Sequence, residues 1–203
     1  MAMGRALSLN RVGARRRSLS VLDEALSEIA EQPGPSLNDT RVPEAHGMLH
    51  LAAAQIAARD NRVGDADTHL DEASALARFT GDRNFLCYHF GPTNVASWRL
   101  AIAVETEQGP AAADTLDTKH VDFSTLGSAD RSASVHFDLA RLYAQGHGDR
   151  DQEAVRHLDI ADRFAPLRVR QDPIARELVI GIDRRAKRRA WELNSLKNRL
   201  GVA

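Results

Sequence analysis

The sequence predicts an all-α protein built from antiparallel helical hairpins. Helix-forming residues dominate the chain, and alanine is abundant. Glycine and proline fall between the periodic apolar stretches more often than inside them, as expected where these residues end helices. Alternating runs such as residues 121–123 are too short, and too close to turn residues, to form a sheet. With 43% hydrophobic residues among 203, the chain can bury a core of ordinary size.

Turn residues divide the chain into eight predicted helices. Pro33 lies where the first helix should end, and Pro43 and Pro173 suit the first turn of a helix because the N–H that proline lacks is unpaired there. Gly81 and Gly109 suit the left-handed residue that follows a helix. The predicted helices comprise residues 18–31, 43–60, 64–79, 92–107, 110–118, 128–145, 150–165 and 172–200, and a break of the last helix near Arg189 is left open.

A faint repeat indicates how these helices pair. Alanine and leucine recur at four-then-three spacing in two predicted second helices, at Ala66, Leu70 and Ala73 and again at Ala154, Leu158 and Ala161, with Ala112 and Leu116 between them. A hairpin that cannot bury its apolar face alone has to stack on copies of itself. We therefore predict a short right-handed superhelix of tetratricopeptide-like (TPR-like) hairpins. The interval between the repeated positions exceeds the roughly 34 residues of a standard TPR unit, so we expect longer connections between the helices.

Charge is distributed unevenly along the chain. Residues 1–20 hold five arginines and no acid, residues 184–203 hold seven basic residues against Glu192, and the stretch between them carries about −12. We interpret residues 1–17 as a basic, partly disordered N-terminal segment, and residues 18–203 as a TPR-like domain with a C-terminal capping helix. Both basic ends are expected to contact phosphates only weakly, by charge alone.

The cysteine count and the hydropathy bear on the compartment. Cys87 is the only cysteine, so an internal disulfide is excluded, which fits a reducing compartment. No signal peptide is apparent, and no apolar run approaches the roughly 18 residues of a membrane span. We expect a cytoplasmic protein that does not contact a membrane.

Two histidines have the spacing of zinc ligands. His46 and His50 are four residues apart on a predicted helix, and Cys87 with His89 would complete a site. Zinc-hydrolase helices place a glutamate directly after the first histidine, whereas Gly47 follows His46 here. The favoured interpretation is that the histidines are surface and inter-helix residues, so no metal is predicted.

Patterns typical of an active site are missing from the sequence. There is no Gly-x-Ser-x-Gly turn to expose a nucleophile and no glycine-rich loop to hold a phosphate. Adjacent carboxylates such as Asp71 and Glu72 lie on amphipathic helices, as a solvated face would. We therefore predict neither catalytic residues nor a cofactor.

Several short motifs, taken together, carry a resemblance to a known family. They are residues 69–73 (HLDEA), 90–95 (FGPTNV), 101–105 (AIAVE), 138–141 (DLAR), 165–166 (AP) and 176–179 (RELV). In this order they resemble the TPR-like C-terminal half of actinobacterial helix-turn-helix transcriptional regulators of the Xre type, over about residues 43–201. Family members usually begin with a DNA-binding helix-turn-helix, and the region before Ser18 is too short to provide one. Either the chain is the sensor half of a longer regulator, or it is a stand-alone relative.

An aromatic group lies beside the motif that carries the resemblance. Five of the ten aromatic residues fall within twenty positions, at Phe79, Phe85, Tyr88, Phe90 and Trp98. They form either ordinary core or the wall of a pocket in the concave surface of stacked hairpins. By similarity to TPR-type peptide sensors of Gram-positive bacteria, Asn94 would bond the backbone of an extended peptide. The predicted ligand-binding groove comprises Phe90, Asn94, Trp98, Arg99, Glu105, Arg131, Phe137 and Arg141, although Arg141 has an alternative partner in Asp138 on its own helix.

Two functions remain open from the sequence. The first is the ligand-binding and oligomerisation domain of a transcriptional regulator, a homodimer that senses a peptide or small-molecule effector. Such a domain would reach DNA only through a helix-turn-helix that these residues do not contain. The second is a stand-alone TPR-like scaffold that holds protein partners together.

Overall fold

The computed structural model describes residues 2–32, 39–115, 123–186 and 190–202, and these residues form helices without a β-strand. The helices are α1 Ala2–Arg11, α2 Arg15–Ala30, α3 Arg41–Arg59, α4 Val63–Thr80, α5 Pro92–Glu105, α6 Pro110–Thr115, α7 Ala129–Ala144, α8 Asp151–Phe164, α9 Pro166–Gln171, α10 Pro173–Arg185 and α11 Trp191–Leu200, with a short 3-10 helix at Phe123–Leu126 before α7. Consecutive helices pack together from α1 to α5 and from α6 to α11, above all α3 with α4 and α7 with α8. The predicted all-α hairpin fold is confirmed, whereas superhelical stacking of the hairpins stays a prediction.

Most of the predicted helices correspond to helices of the structure. The first seven, from 18–31 to 150–165, correspond to α2–α8. The eighth, 172–200, is divided, because α10 ends at Arg185 and α11 begins at Trp191. Helices α1 and α9 were not predicted. Three features used above, Pro33, Leu116 and residues 121–122, lie outside the described residues.

The chain divides into two compact units, Met1–Thr106 and Glu107–Ala203. The single domain over residues 18–203 that the sequence predicts stays a prediction beside this division into units. The boundary follows the end of α5, where Glu107 (φ 55°) and Gly109 (φ 71°) both adopt left-handed backbone conformations that end regular helix. We refer to Met1–Thr106 as the N-terminal unit and to Glu107–Ala203 as the C-terminal unit.

The α3–α4 hairpin forms the centre of the N-terminal unit. Alanines fill the contact between the two helices, and buried leucine, isoleucine and phenylalanine side chains surround them. Gly47 is required at one point of this core: a Cβ atom built on it would lie 2.0 Å from the ring of Phe90. The missing side chain of Gly47 therefore makes the space that the Phe90 ring fills.

Residues 1–17, expected to be partly disordered, are largely helical where the structure describes them. Ala6 on α1 is fully buried, and its carbonyl oxygen accepts a hydrogen bond from the Ser18 hydroxyl of α2 (2.5 Å). Ala6 and Leu22 join Ile56 of α3 in a second core cluster, against which Leu7 and Leu9 pack. The arginines of this segment stay exposed, and the apolar residues spaced between them form the buried side of the helix.

The C-terminal unit is centred on the second hairpin, α7–α8. The repeated residues of α8, Ala154, Leu158 and Ala161, are all fully buried, as are their counterparts in α4. Helix α11 packs on α8 with Leu193, Leu196 and Leu200 inward. Trp191, the first residue of α11, is 77% exposed.

Candidate functional site

A closed loop connects α4 to α5 in the N-terminal unit, and it contains most of the aromatic group. We call residues 81–91 the aromatic loop. Its two ends are joined by a hydrogen bond from the Arg83 N–H to the Phe90 carbonyl oxygen (2.8 Å). Cys87 (φ 60°) and His89 (φ 52°) adopt left-handed conformations that non-glycine residues seldom occupy. The surrounding structure therefore has to hold this loop in place.

Polar side chains anchor the loop at several points. Glu44, in the first turn of α3, is 1% exposed, and its carboxylate accepts hydrogen bonds from the Phe85 N–H (3.1 Å) and the Thr40 hydroxyl (2.6 Å). The Asp82 carboxylate accepts from the Thr93 N–H (3.1 Å) and hydroxyl (2.9 Å). These anchors connect the loop to α3 and α5. Sequence reasoning missed Glu44, because nothing in the pattern distinguishes it from an exposed first-turn acid.

Asn94, predicted to face a ligand, lies inside the N-terminal unit and is 3% exposed. Its amide nitrogen donates to the Tyr88 carbonyl oxygen (3.0 Å) and lies 3.7 Å from the Met48 sulfur. Because α5 begins at Pro92, the side chain of Asn94 leaves the first turn of the helix towards the aromatic loop. The amide that was predicted to bond a peptide backbone bonds the protein's own backbone here.

Phe90 and Trp98 are parts of the same core. The Phe90 ring is 1% exposed and packs with the α3–α4 residues, and Trp98 is partly buried against this cluster. For the aromatic group, the core interpretation therefore holds at these two positions. The other three aromatic residues are exposed: Phe85 by 60%, Tyr88 by 43% and Phe79 by 37%.

The remaining predicted groove residues have partners within their own units. In the N-terminal unit, Arg99 bonds Asp71 (3.3 Å) and Glu105 pairs with Arg59 (3.6 Å). In the C-terminal unit, Arg131, Phe137 and Arg141 all lie on α7. The Arg141 guanidinium lies 6.0 Å from the centre of the Phe137 ring and pairs with Asp138 at 3.4 Å, the alternative partner noted from the sequence. Five of the eight predicted residues thus lie in one unit and three in the other.

An ion pair borders the exposed face of the aromatic loop. The guanidinium of Arg41 lies 5.4 Å from the centre of the Phe85 ring, and its Nη2 nitrogen is 2.5 Å from the Asp39 carboxylate. This hydrogen-bonded guanidinium lowers the pKa of Asp39 to about 2. The loop therefore exposes two aromatic side chains, Phe85 and Tyr88, and charged groups of both signs lie beside Phe85.

Five of the histidines form two sets, one in each hairpin. In the N-terminal unit, His50 Nδ1 lies 2.9 Å from His69 Nδ1, and His50 Nε2 lies 3.1 Å from His46 Nε2. In the C-terminal unit, His136 Nδ1 lies 2.9 Å from His157 Nδ1. One signal of this equivalence exists in the sequence, because a histidine directly precedes the repeated leucine in both α4 and α8.

These imidazoles are placed as neutral inter-helix contacts. Burial lowers the pKa of His50 and of His157 to about 4, so both rings are uncharged at neutral pH and can donate through one nitrogen while accepting through the other. His50 turns a different ring nitrogen towards each neighbour, so the three rings of its set do not converge on one point. Across the described residues, no group of three or more potential ligands is arranged to hold a metal ion.

Neither the described helices nor comparisons with known proteins point to a further class of site. Among the described helices, none combines the length and the apolar character needed to cross a membrane. Comparisons with protein-family models, with curated proteins and with solved structures found no match for this chain.

Proposed function

We propose that this chain is the ligand-binding and oligomerising effector domain of a cytoplasmic transcriptional regulator, acting by recognition and without catalysis. The resemblance of residues 43–201 to the effector halves of Xre-type regulators supports this function. In this proposal DNA is contacted through a helix-turn-helix outside these 203 residues. The observation on which we rely most is the aromatic loop, which is anchored by buried polar groups and exposes aromatic side chains.

The loop has the properties of a recognition surface. Binding and catalytic residues are concentrated on loops that a rigid scaffold positions. Exposed aromatic side chains contribute strongly to association, and a loop already held in its conformation loses little entropy on binding. Phe85 and Tyr88 supply the aromatic surface, and the bonds to Glu44, Asp82 and Asn94 supply the rigidity. A peptide or small molecule with apolar groups fits this surface best.

The test is a binding screen followed by substitution at the loop. A library of apolar heptapeptides and a metabolite set would be screened by thermal shift against the whole chain, and a compound that raises the melting temperature would be titrated by calorimetry. We expect the double variant Phe85→Ala and Tyr88→Ala to lower affinity about tenfold or more, as for aromatic contacts that dominate an interface. Trp191→Ala removes an aromatic of even greater exposure from the other unit and serves as the matched control. Equal affinity of the loop variant and the parent would refute the assignment of the loop.

The scaffold function has one observation of its own. Large apolar side chains are exposed in the C-terminal unit as well, where Leu167 is 76% and Trp191 77% exposed. Isolated exposed residues are normal, but residues of this kind in both units would suit a protein that holds two partners. A protein captured from lysate through both surfaces, together with no thermal shift from any compound, would favour the scaffold over the sensor.

A further inference from the structure

The exposed face of α2 carries opposite charges on the two sides of one small residue. Arg16 and Arg17 lie four and three residues before Ser20, and Asp23 and Glu24 lie three and four residues after it. Residues three and four apart on a helix lie on the same face, so these five side chains share a surface. All five are exposed.

These four charges are left without ion-pair partners in the described part of the chain. No described carboxylate lies within ion-pair distance of Arg16 or Arg17, and no described basic side chain lies within that distance of Asp23 or Glu24. The basic residues near the C-terminus differ, because several of them are neutralised inside their unit, as Lys197 is by Asp183 at 2.6 Å. Burial lowers the pKa of His69 on α4 and the charge of Asp23 opposes this; apart from that longer-range effect, the fold leaves the charge of this face available.

The order of the charges does not serve the helix itself. A helix is stabilised by acids near its N-terminus and by bases near its C-terminus. Helix α2 has arginines in its first turn, no acid there and no base in its last turn. Its charge order is thus the reverse of the one its macrodipole favours, which points to a role outside the monomer.

We propose that α2 pairs with α2 of a second copy of the chain, antiparallel, about a two-fold axis that passes through Ser20. On the two flanks of this axis Arg16 lies beside the partner's Asp23 and Arg17 beside the partner's Glu24, and the symmetric pairs form at the other end of the contact. The pattern is self-complementary, as a two-fold interface requires. Serine at the crossing lets the helices approach to the usual separation of about 8–10 Å, and the two macrodipoles oppose each other.

The mixed sign of this face favours a second copy over other partners. Asp23 and Glu24 would repel a polyanion such as nucleic acid, and Arg16 and Arg17 would repel a basic partner. Only a surface with the same charges in reverse order satisfies all four, and α2 of another copy is such a surface. The interface gives the oligomerisation part of the proposed function a structural form, and in that respect rests on it.

The resulting dimer is weak and depends on salt. Exposed ion pairs contribute little individually, so the four pairs stabilise the dimer chiefly when screening is low. The Debye length falls from about 10 Å at 0.1 M salt to about 3 Å at 1 M, and we expect the dissociation constant to rise about tenfold between these conditions.

The test is sedimentation equilibrium of the whole chain over a range of micromolar concentrations in low salt. Two charge-reversal variants are compared, Arg16→Glu with Arg17→Glu, and Asp23→Arg with Glu24→Arg. Each variant alone makes the face of a single sign and should sediment as a 22.3 kDa monomer. An equimolar mixture of the two should form a heterodimer, because an all-acidic face then meets an all-basic one. Arg78→Glu, an exposed reversal on α4, is the control and should leave the dimer unchanged.

The outcomes separate this interface from the proposed function. A wild-type monomer in low salt at every concentration overturns the proposal, and so does a dimer that both reversals leave intact. Failure of the mixture to associate overturns it even where one variant alone has lost stability, provided that circular dichroism shows both to be helical. Ligand titration tests the aromatic loop instead. A monomeric variant that still binds its compound therefore supports the sensor function, independently of whether the α2 interface exists.

Discussion

Replacing Asn94 by alanine separates a ligand contact from an internal tie. The side chain is 3% exposed, and its amide donates to the Tyr88 carbonyl oxygen at 3.0 Å. Removing one partner of a buried hydrogen bond costs roughly 1–3 kcal/mol, because the other group is left unsatisfied. For a unit of this size, about 1 kcal/mol corresponds to roughly 4–8 °C in melting temperature. We expect Asn94→Ala to lower the melting temperature of the N-terminal unit by about 5–15 °C.

Thermal unfolding followed by circular dichroism measures this effect, and hydrogen exchange locates it. The amide protons of residues 81–91 should exchange faster in the variant, because the tie to Tyr88 holds the aromatic loop closed. Asn198→Ala makes the same substitution at an exposed residue of α11 and should stay within about 0.5 kcal/mol of the parent. If Asn94→Ala melts with the parent and loses only ligand affinity, the internal tie is not what Asn94 provides, and the groove interpretation from the sequence stands.

Two further changes test the packing and the histidine sets. Gly47→Ala places a methyl group against the Phe90 ring and should lower the free energy of unfolding of the N-terminal unit by about 1–3 kcal/mol, less the gain in helix propensity. Urea unfolding measures this loss, and adding Phe90→Leu should recover part of it. An unchanged urea midpoint in Gly47→Ala would contradict the packing. Burial lowers the pKa of His50 and His157 in the fold below the ordinary 6.5, so the unfolded chain binds more protons as pH falls from above 6.5 towards 4. The melting temperature should therefore fall between pH 7 and pH 5, and it should fall less steeply in the double variant His50→Gln and His157→Gln. If the melting temperatures of the parent and the double variant fall equally with pH, the imidazoles are not neutral and buried.

The sequence by itself determined seven of the helices, α2–α8, and their pairing in hairpins. Apolar periodicity located α2–α8, since an amphipathic helix has to bury its stripe wherever it lies. The repeated alanines and leucines of α4 and α8 are buried because two helices approach closely only where side chains are small. These are local or nearest-neighbour requirements, and a linear pattern records them. The same reasoning failed at α1, where arginines outweighed the apolar residues that pack its inner face.

Only the tertiary structure decided what the polar residues bind. Asn94 in a helix's first turn suits a ligand amide or an internal tie equally well, and the choice depends on where the Tyr88 carbonyl oxygen lies after the loop closes. Glu44 offers no signal of its bond to the aromatic loop, because Phe85 is forty-one residues away in sequence. Hydrogen-bond partners are selected by distances of about 3 Å in the folded chain, and residue type constrains only which groups are able to bond. The spacing of apolar residues along the chain therefore predicts which face is buried, whereas the partner of a polar group depends on packing between residues far apart in sequence.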